Sequence, residues 1–174
     1  MLSGDIKVRE VEPADQAALE AFYPLAFPDE DLVPLLRALL DERQDCFSLV
    51  PVAAGEPVGH VAFTRCRLST VEAPVALLGP LAVTPRFQRR GLGSALTQAG
   101  FEKLADEAVV AVLVLGDPGY YGRFGFSSDH GVEPPCPLPS DWRPAWQARW
   151  LGSARLAGRL LVPPVWQEPA LWAP

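Results

Sequence analysis

Seven consecutive apolar residues, Val109 to Leu115, constrain this chain more than any other stretch. A run of that kind is the mark of a strand buried on both faces, and such strands usually pair in parallel. A helix from about Leu92 to Glu107 precedes it. Before the helix come a loop over Pro85 to Arg90 and a strand over Val75 to Val83. Strand, loop, helix and strand over residues 77–115 make a βαβ unit. Gly79-Pro80 interrupts the first strand, and proline inside a strand implies a bulge or a broken ladder. In the helix, Leu92, Ala95, Leu96 and Ala99 share one face, while Phe101, Leu104, Ala105 and Ala108 lie nearly opposite. The helix is therefore expected to be packed on two sides.

The rest of the chain supplies partners for this unit. Ile6 to Val11 alternates apolar and polar residues and reads as a first strand. Pro13 opens a helix through about Phe22. Asp29 to about Arg43 is a second helix, with acidic residues at its N-terminal end and Leu32, Leu35, Leu36, Leu39 and Leu40 as its apolar stripe. Cys46 to Ala53 and Val58 to Leu68 form a hairpin around Ala54-Gly55-Glu56-Pro57. A helical turn around Pro118 to Arg123 precedes Phe124-Gly125-Phe126. Two more strands are read in the proline- and tryptophan-rich remainder, at about Gln147–Leu151 and Arg155–Val162.

At 174 residues the chain has the size of one domain with a core of its own. The apolar run ending at Leu115 is far short of the ~20 residues that cross a bilayer. Met1 to Asp5 has no basic and then apolar pattern of a secretory signal. Three scattered cysteines and two histidines argue against a disulfide framework or a metal site, and a reducing cytoplasm fits best. A net charge of −6 argues against a dedicated nucleic-acid binder. Against that acidic background, Arg86, Arg89 and Arg90 cluster within five residues.

Those arginines flank Gln88-Arg89-Arg90-Gly91-Leu92-Gly93-Ser94, a loop between a buried strand and a helix. A helix start offers unpaired N–H groups and the positive end of the dipole. A pyrophosphate placed there meets several backbone donors at once. Gly91 and Gly93 allow close backbone approach. A bare G-x-G is equally at home in a loop with no ligand; the arginines and the flanking elements favour an anion. No G-x-x-x-x-G-K-[ST] occurs, and Leu96 stands where a dinucleotide fingerprint needs glycine.

Three segments in order then resemble the GNAT N-acetyltransferase superfamily: Leu78-Gly79-Pro80-Leu81-Ala82-Val83-Thr84-Pro85, Gln88 to Gly93, and Tyr121-Gly122-Arg123-Phe124-Gly125-Phe126. The resemblance covers about residues 5–128. It implies an α/β (α+β) fold: a mixed, mostly antiparallel sheet of six to seven strands, helices on both faces, and a splayed pair of parallel central strands. It implies a single acyltransferase domain over 1–174, with a core over 1–128 and an acceptor-side segment over 129–174. It implies acetyl-CoA as co-substrate, no metal, and a primary amine, on a small molecule or a protein, as acceptor in direct attack. A cytoplasmic monomer or homodimer that engages neither nucleic acid nor membrane follows from the same reading.

The resemblance also assigns residues. Leu81, Ala82 and Val83 would offer backbone to pantetheine, and Gln88, Arg89, Arg90, Gly91, Leu92, Gly93 and Ser94 would hold the pyrophosphate. Tyr121 would contact the cofactor and protonate the departing thiolate, a phenol of pKa near 10 donating to a thiol of pKa near 8.5. The N–H near Val83 would steady the oxyanion. Glu72, Asp117 and His60 are candidate bases beside a water relay. The chain departs from the family at Val114, where many members carry Asn; Asp117 is the nearest polar replacement. Two rival readings remain. A non-catalytic acyl-CoA-binding module would keep the loop but need no Tyr121. An interaction domain would use Trp142, Trp146, Trp150, Trp166 and Trp172, the first three spaced to line a helix face or to cap a core.

Overall fold

A computed structural model describes residues 6–173; Met1 to Asp5, on which the reading of no secretory signal rests, lie outside them. Among the described residues nine strands form, in chain order β1 (Lys7–Glu10), β2 (Cys46–Ala53), β3 (Glu56–Pro57), β4 (Gly59–Leu68), β5 (Val75–Val83), β6 (Ala111–Leu115), β7 (Gly131–Glu133), β8 (Trp146–Trp150) and β9 (Ala157–Leu161). The helices are α1 (Gln16–Ala26), α2 (Val33–Asp41), α3 (Leu92–Asp106) and the single turn α4 (Pro118–Tyr121). The excess over six to seven strands comes from β3 and β7, of two and three residues, too short to show alternation.

The chain divides into two compact units. One unit takes residues up to Phe63 and Pro80–Glu102; the other takes Thr64–Gly79 and everything from Lys103 on. In the first unit the strand order is β1-β2-β4-β5, with β3 beside β2. Strand β1 runs antiparallel to β2, from Lys7↔Val52 to Glu10↔Leu49. The β2–β3 turn is only Ala54-Gly55, both left-handed at φ 51° and 79°, the conformation that a two-residue hairpin needs.

Leu19, Phe22 and Tyr23 of α1 and Leu36 of α2 build the first unit's core with Val50 and Ala82. Helix α2 starts four residues later than Asp29. A helix begun there would put Pro34 in its second turn, against the carbonyl four residues back; from Val33, Pro34 is in the first turn, and Asp31 Oδ1 accepts the Val33 N–H at 3.2 Å. Helix α3 corrects the two-sided expectation. Leu92, Leu96, Thr97, Gly100, Phe101 and Leu104 are buried and Ala105 and Ala108 are exposed, so there is one buried stripe. Thr97 and Gly100 hide it from a reading of apolar residues. Gly100 is there because the buried Phe63 ring lies against it: a Cβ would overlap Cε2 and Cζ.

In the second unit the order is β4-β5-β6-β8, with β9 beside β4 and β7 beside β9. The doubly buried run is β6, with Ala111 to Val114 at most 1% exposed. It begins two residues late because Val109 closes the preceding turn: Ala108 is left-handed at φ 61°, and Val109 N–H reaches Leu104 C=O at 3.0 Å. Strands β5 and β6 are parallel over Val75↔Ala111, Ala76↔Val112 and Leu77↔Leu113 only. The ladder stops there, though β6 continues to Leu115, and Gly79 follows at φ +143°. A left-handed glycine before a proline ends the pairing, so the parallel pair is splayed as expected.

The tryptophans do not line a helix. Trp146 and Trp150 lie on β8, and Trp146 and Trp172 pack edge to face at 5.7 Å. Trp166 is buried beside β4, its indole N–H donating to Thr64 Oγ1 at 2.9 Å, and Trp172 donates to Trp166 C=O at 2.9 Å.

Candidate functional site

Two features carry the predicted site residues, one in each unit. In the first, β5 leaves its last residues for a turn of 3₁₀ helix, Pro85–Phe87, and the loop enters α3 at Leu92. Arg89 and Gly91 are both left-handed, at φ 61° and 78°. Left-handed residues among right-handed ones gather successive N–H groups into an anion-binding concavity. A Cβ at Gly91 would meet nothing within 4 Å, so the glycine serves conformation rather than internal crowding. The first turn of α3 leaves its N–H groups without helical acceptors; Ala95 is the residue whose N–H returns to Gly91 C=O, at 3.0 Å. Thr97 Oγ1 donates to Gly93 C=O at 2.8 Å and steadies that turn.

Exposed cations border this helix start. The guanidinium carbons of Arg86 and Arg90 lie 5.7 and 5.0 Å from the Phe87 ring centre, so one aromatic holds two cations on the loop. Arg89 is exposed as well. Gln88 has another job: its Nε2 donates to Val83 C=O at 3.0 Å, tying the loop to the end of β5.

The three β5 residues assigned to pantetheine separate by direction. Thr84 N–H donates to Val58 C=O at 3.0 Å, and Ala82 C=O lies against Gly59 of β4. Backbone groups alternate along a strand, so those of Leu81 and Val83 face the other edge of β5. Ala82 gives its side chain to the core and its carbonyl to β4.

Tyr121 belongs to the second unit, in the turn after β6. Asp117 caps that turn, its Oδ1 accepting Gly119 N–H at 2.9 Å. The exposed Asp117 is thus the cap of the turn that carries Tyr121. The Tyr121 ring stands edge-on to Tyr120, Phe124 and Phe126 at 5.0, 6.4 and 5.7 Å. It lies so close to Gly116 that a Cβ there would overlap it. Burial raises the phenol above the ordinary tyrosine value, and Tyr120 adds to the rise. The hydroxyl therefore keeps its proton, and among the described residues it has no hydrogen-bond partner.

Of the candidate bases, His60 is ruled out by its surroundings. It is fully buried between Tyr23 Oη, 2.6 Å from Nδ1, and Ser48 Oγ, 2.9 Å from Nε2. Burial lowers its pKa to about 3. Glu72 is exposed in the β4–β5 connection. Two residues that sequence reasoning passed over touch the Tyr121 turn. Gln147 Nε2 donates to Gly116 C=O at 3.0 Å, and Arg149 Nη1 donates to Phe124 C=O at 2.9 Å. Both sit in Trp146–Trp150, where the tryptophans dominated the pattern. Among the described residues no group of three His, Cys, Asp or Glu side chains is placed to hold a metal.

Known proteins resemble this chain in sequence and in fold. The family "Acetyltransferase (GNAT) family" matches residues 14–126, a span that includes the loop, the end of β5 and the Tyr121 turn. The uncharacterized N-acetyltransferase YjhQ of Escherichia coli (strain K12) is 31% identical over 147 residues, 80% of this chain and 81% of that protein. The uncharacterized N-acetyltransferase YhbS of the same strain is 29% identical over 123 residues, 68% of this chain and 72% of that protein. In fold, the crystal structure of YhbS from Escherichia coli in complex with CoA has a TM-score of 0.83 at 23% identity, covering 97% of this chain and 95% of that one. A GNAT family acetyltransferase from Brucella melitensis in complex with acetyl-CoA has a TM-score of 0.75 at 24% identity, covering 95% and 100%. Family match and sequence relatives agree: this chain belongs to the acetyltransferase (GNAT) family.

Proposed function

We propose that the chain transfers the acetyl group of acetyl-CoA to an amine by direct attack. The observation that carries this reading is the start of α3, where two left-handed residues, free helical N–H groups and three exposed arginines meet at the end of a splayed strand. The similar structures hold CoA and acetyl-CoA, and YjhQ and YhbS bear the name N-acetyltransferase, which support donor and acceptor class respectively.

In this mechanism the loop Gln88 to Ser94 receives the pyrophosphate, and the edge of β5 that Leu81 and Val83 face receives pantetheine, with Gln88 already holding Val83 C=O. The neutral amine attacks the thioester carbonyl, and Val83 N–H donates to the oxygen as it gains charge. Collapse breaks the C–S bond. Tyr121 Oη gives its proton to the sulfur, and the proton lost by the amine leaves through water and restores the phenol. A phenol held neutral by burial is loaded for this role, and a thiolate released into apolar surroundings is itself a stronger base than in water.

Tyr121→Phe tests the assignment. The expected result is a large loss of kcat, measured as thiol release with a panel of amines, with acetyl-CoA affinity by calorimetry near that of the wild type. Unchanged kcat would remove Tyr121 from the chemistry. Tight acetyl-CoA binding with no turnover on any amine would favour the binding-module reading instead.

A further inference from the structure

The turn bearing Tyr121 is fastened at three points on β8, and Gly116 N–H also donates to Ala145 C=O, just before β8, at 2.9 Å. Gln147 and Arg149 are two residues apart on one strand, so both project from the same face; their partners across β6 are Val114 and Val112. Gln147 holds Gly116 C=O, where the chain leaves β6, and Arg149 holds Phe124 C=O, where the helical turn ends. Between them the backbone of Ala148 exchanges two hydrogen bonds with Ser127, at 2.9 and 3.0 Å. Gly125 is left-handed at φ 84°, and a Cβ on it would lie 3.1 Å from Arg149 Cδ, so the arginine sits directly against the turn. Gln147 is 1% exposed, a buried amide whose Nε2 donates to the turn's first carbonyl at 3.0 Å and, more weakly, to Ala145 C=O at 3.4 Å.

We infer that Gln147 and Arg149 are positioning residues that clamp both ends of the Tyr121 turn and so aim its hydroxyl. The inference rests on the proton-donor role of Tyr121 proposed above. With no hydrogen bond of its own at Oη, Tyr121 takes its direction from ring packing and from where Gly116 and Phe124 are held. Neither clamp residue is among those assigned to the cofactor or to proton transfer, so their loss is expected to act on rate through Tyr121.

The test is a set of double-mutant cycles on the full-length protein. Gln147→Leu and Arg149→Met are each expected to lower kcat about tenfold or more, as a reacting group shifts by a fraction of an ångström. The KM for acetyl-CoA is expected to stay within about twofold. Arg149→Lys keeps a donor and is expected to recover part of the loss. In a Tyr121→Phe background the same substitutions are expected to change kcat no further, whereas a merely structural role would multiply the losses. Wild-type kcat in both single variants, or full multiplication on Tyr121→Phe, overturns the clamp while leaving the donor role standing. Wild-type kcat in Tyr121→Phe itself overturns both. If Gln147→Leu fails to fold, Gln147→Asn, which shortens the reach to Gly116, is read by the same criteria.

Discussion

Replacing Gly116 by alanine requires the Tyr121 ring to move. A Cβ at that position would overlap Cε2 and stand 2.8 Å from Cδ2 and 3.4 Å from Cζ. Carbon atoms settle at about 3.5–4.0 Å, so the ring must retreat by roughly 1 Å. The rings of Phe124 and Phe126 restrict its retreat. Displacing a reacting group by about 1 Å can cost on the order of 10²-fold in rate, which is about 2.7 kcal/mol at ~1.36 kcal/mol per tenfold. The crowding itself costs about 1–3 kcal/mol of stability, or about 2–4 °C of Tm for each kcal/mol in a protein of this size. Steady-state thiol release, on the amine that turns over fastest, should show kcat reduced about 10²-fold with acetyl-CoA KM little changed. Thermal melting on the same preparation confirms that the protein assayed is folded. A folded Gly116→Ala protein with kcat within about threefold of the wild type would refute the reasoning, since the loss worked out above is on the order of 10²-fold.

Three other outcomes follow from the structure. Gly100→Ala, ordinarily a gain of about 1 kcal/mol within a helix, should here lower Tm, because the new Cβ meets the buried Phe63 ring, itself stacked on Phe47 at 5.2 Å; a raised Tm would contradict that packing. His60 is neutral in the folded protein, with its pKa lowered to about 3, while the unfolded chain binds a proton below about 6.5. Its contribution is therefore complete above pH 6.5 and is lost as pH falls toward 3, at up to about 1.4 kcal/mol per pH unit; urea midpoints of His60→Gln should lack that part of the acid sensitivity, and parallel pH profiles would count against it. Arg89→Gly and Arg89→Ala both remove the charge, but only glycine relieves the left-handed backbone at φ 61°. Arg89→Gly should be the more stable by about 1 kcal/mol, and equal melting temperatures would show that the loop carries no such strain.

The parts of this fold legible in the sequence were those where one physical demand dominates a segment. Val109 to Leu115 had no polar face to offer water, so it had to be an interior strand. Gly79-Pro80 marked a bulge or a broken ladder within β5, whose pairing to β6 stops at Leu77 although the strand runs on to Val83; the splay itself was what the family resemblance implied. The residues that escaped did two things at once. Thr97 and Gly100 complete the buried stripe of α3 without being apolar or large, and so made one face look like two. His60 looked available for chemistry, yet Tyr23 and Ser48, distant in sequence, enclose it. Gln147 and Arg149 are polar residues inside a strand, and their meaning lies in Gly116 and Phe124, 31 and 25 residues earlier. Pairings at that range leave no local period.

The tryptophan beside β4 bears on how the chain is made. The hydrogen bond between Trp166 and Thr64 joins residues 102 positions apart. At synthesis rates of about 5–20 residues per second, Thr64 waits roughly 5–20 s for its partner. Through that interval the C-terminal end of β4 has neither Trp166 nor the β9 residues Leu160 and Leu161 that pair with it. Long-range pairings also fold slowly, because loop closure must come first. The nascent chain therefore carries an open strand edge at the end of β4 until β9 and Trp166 have been made.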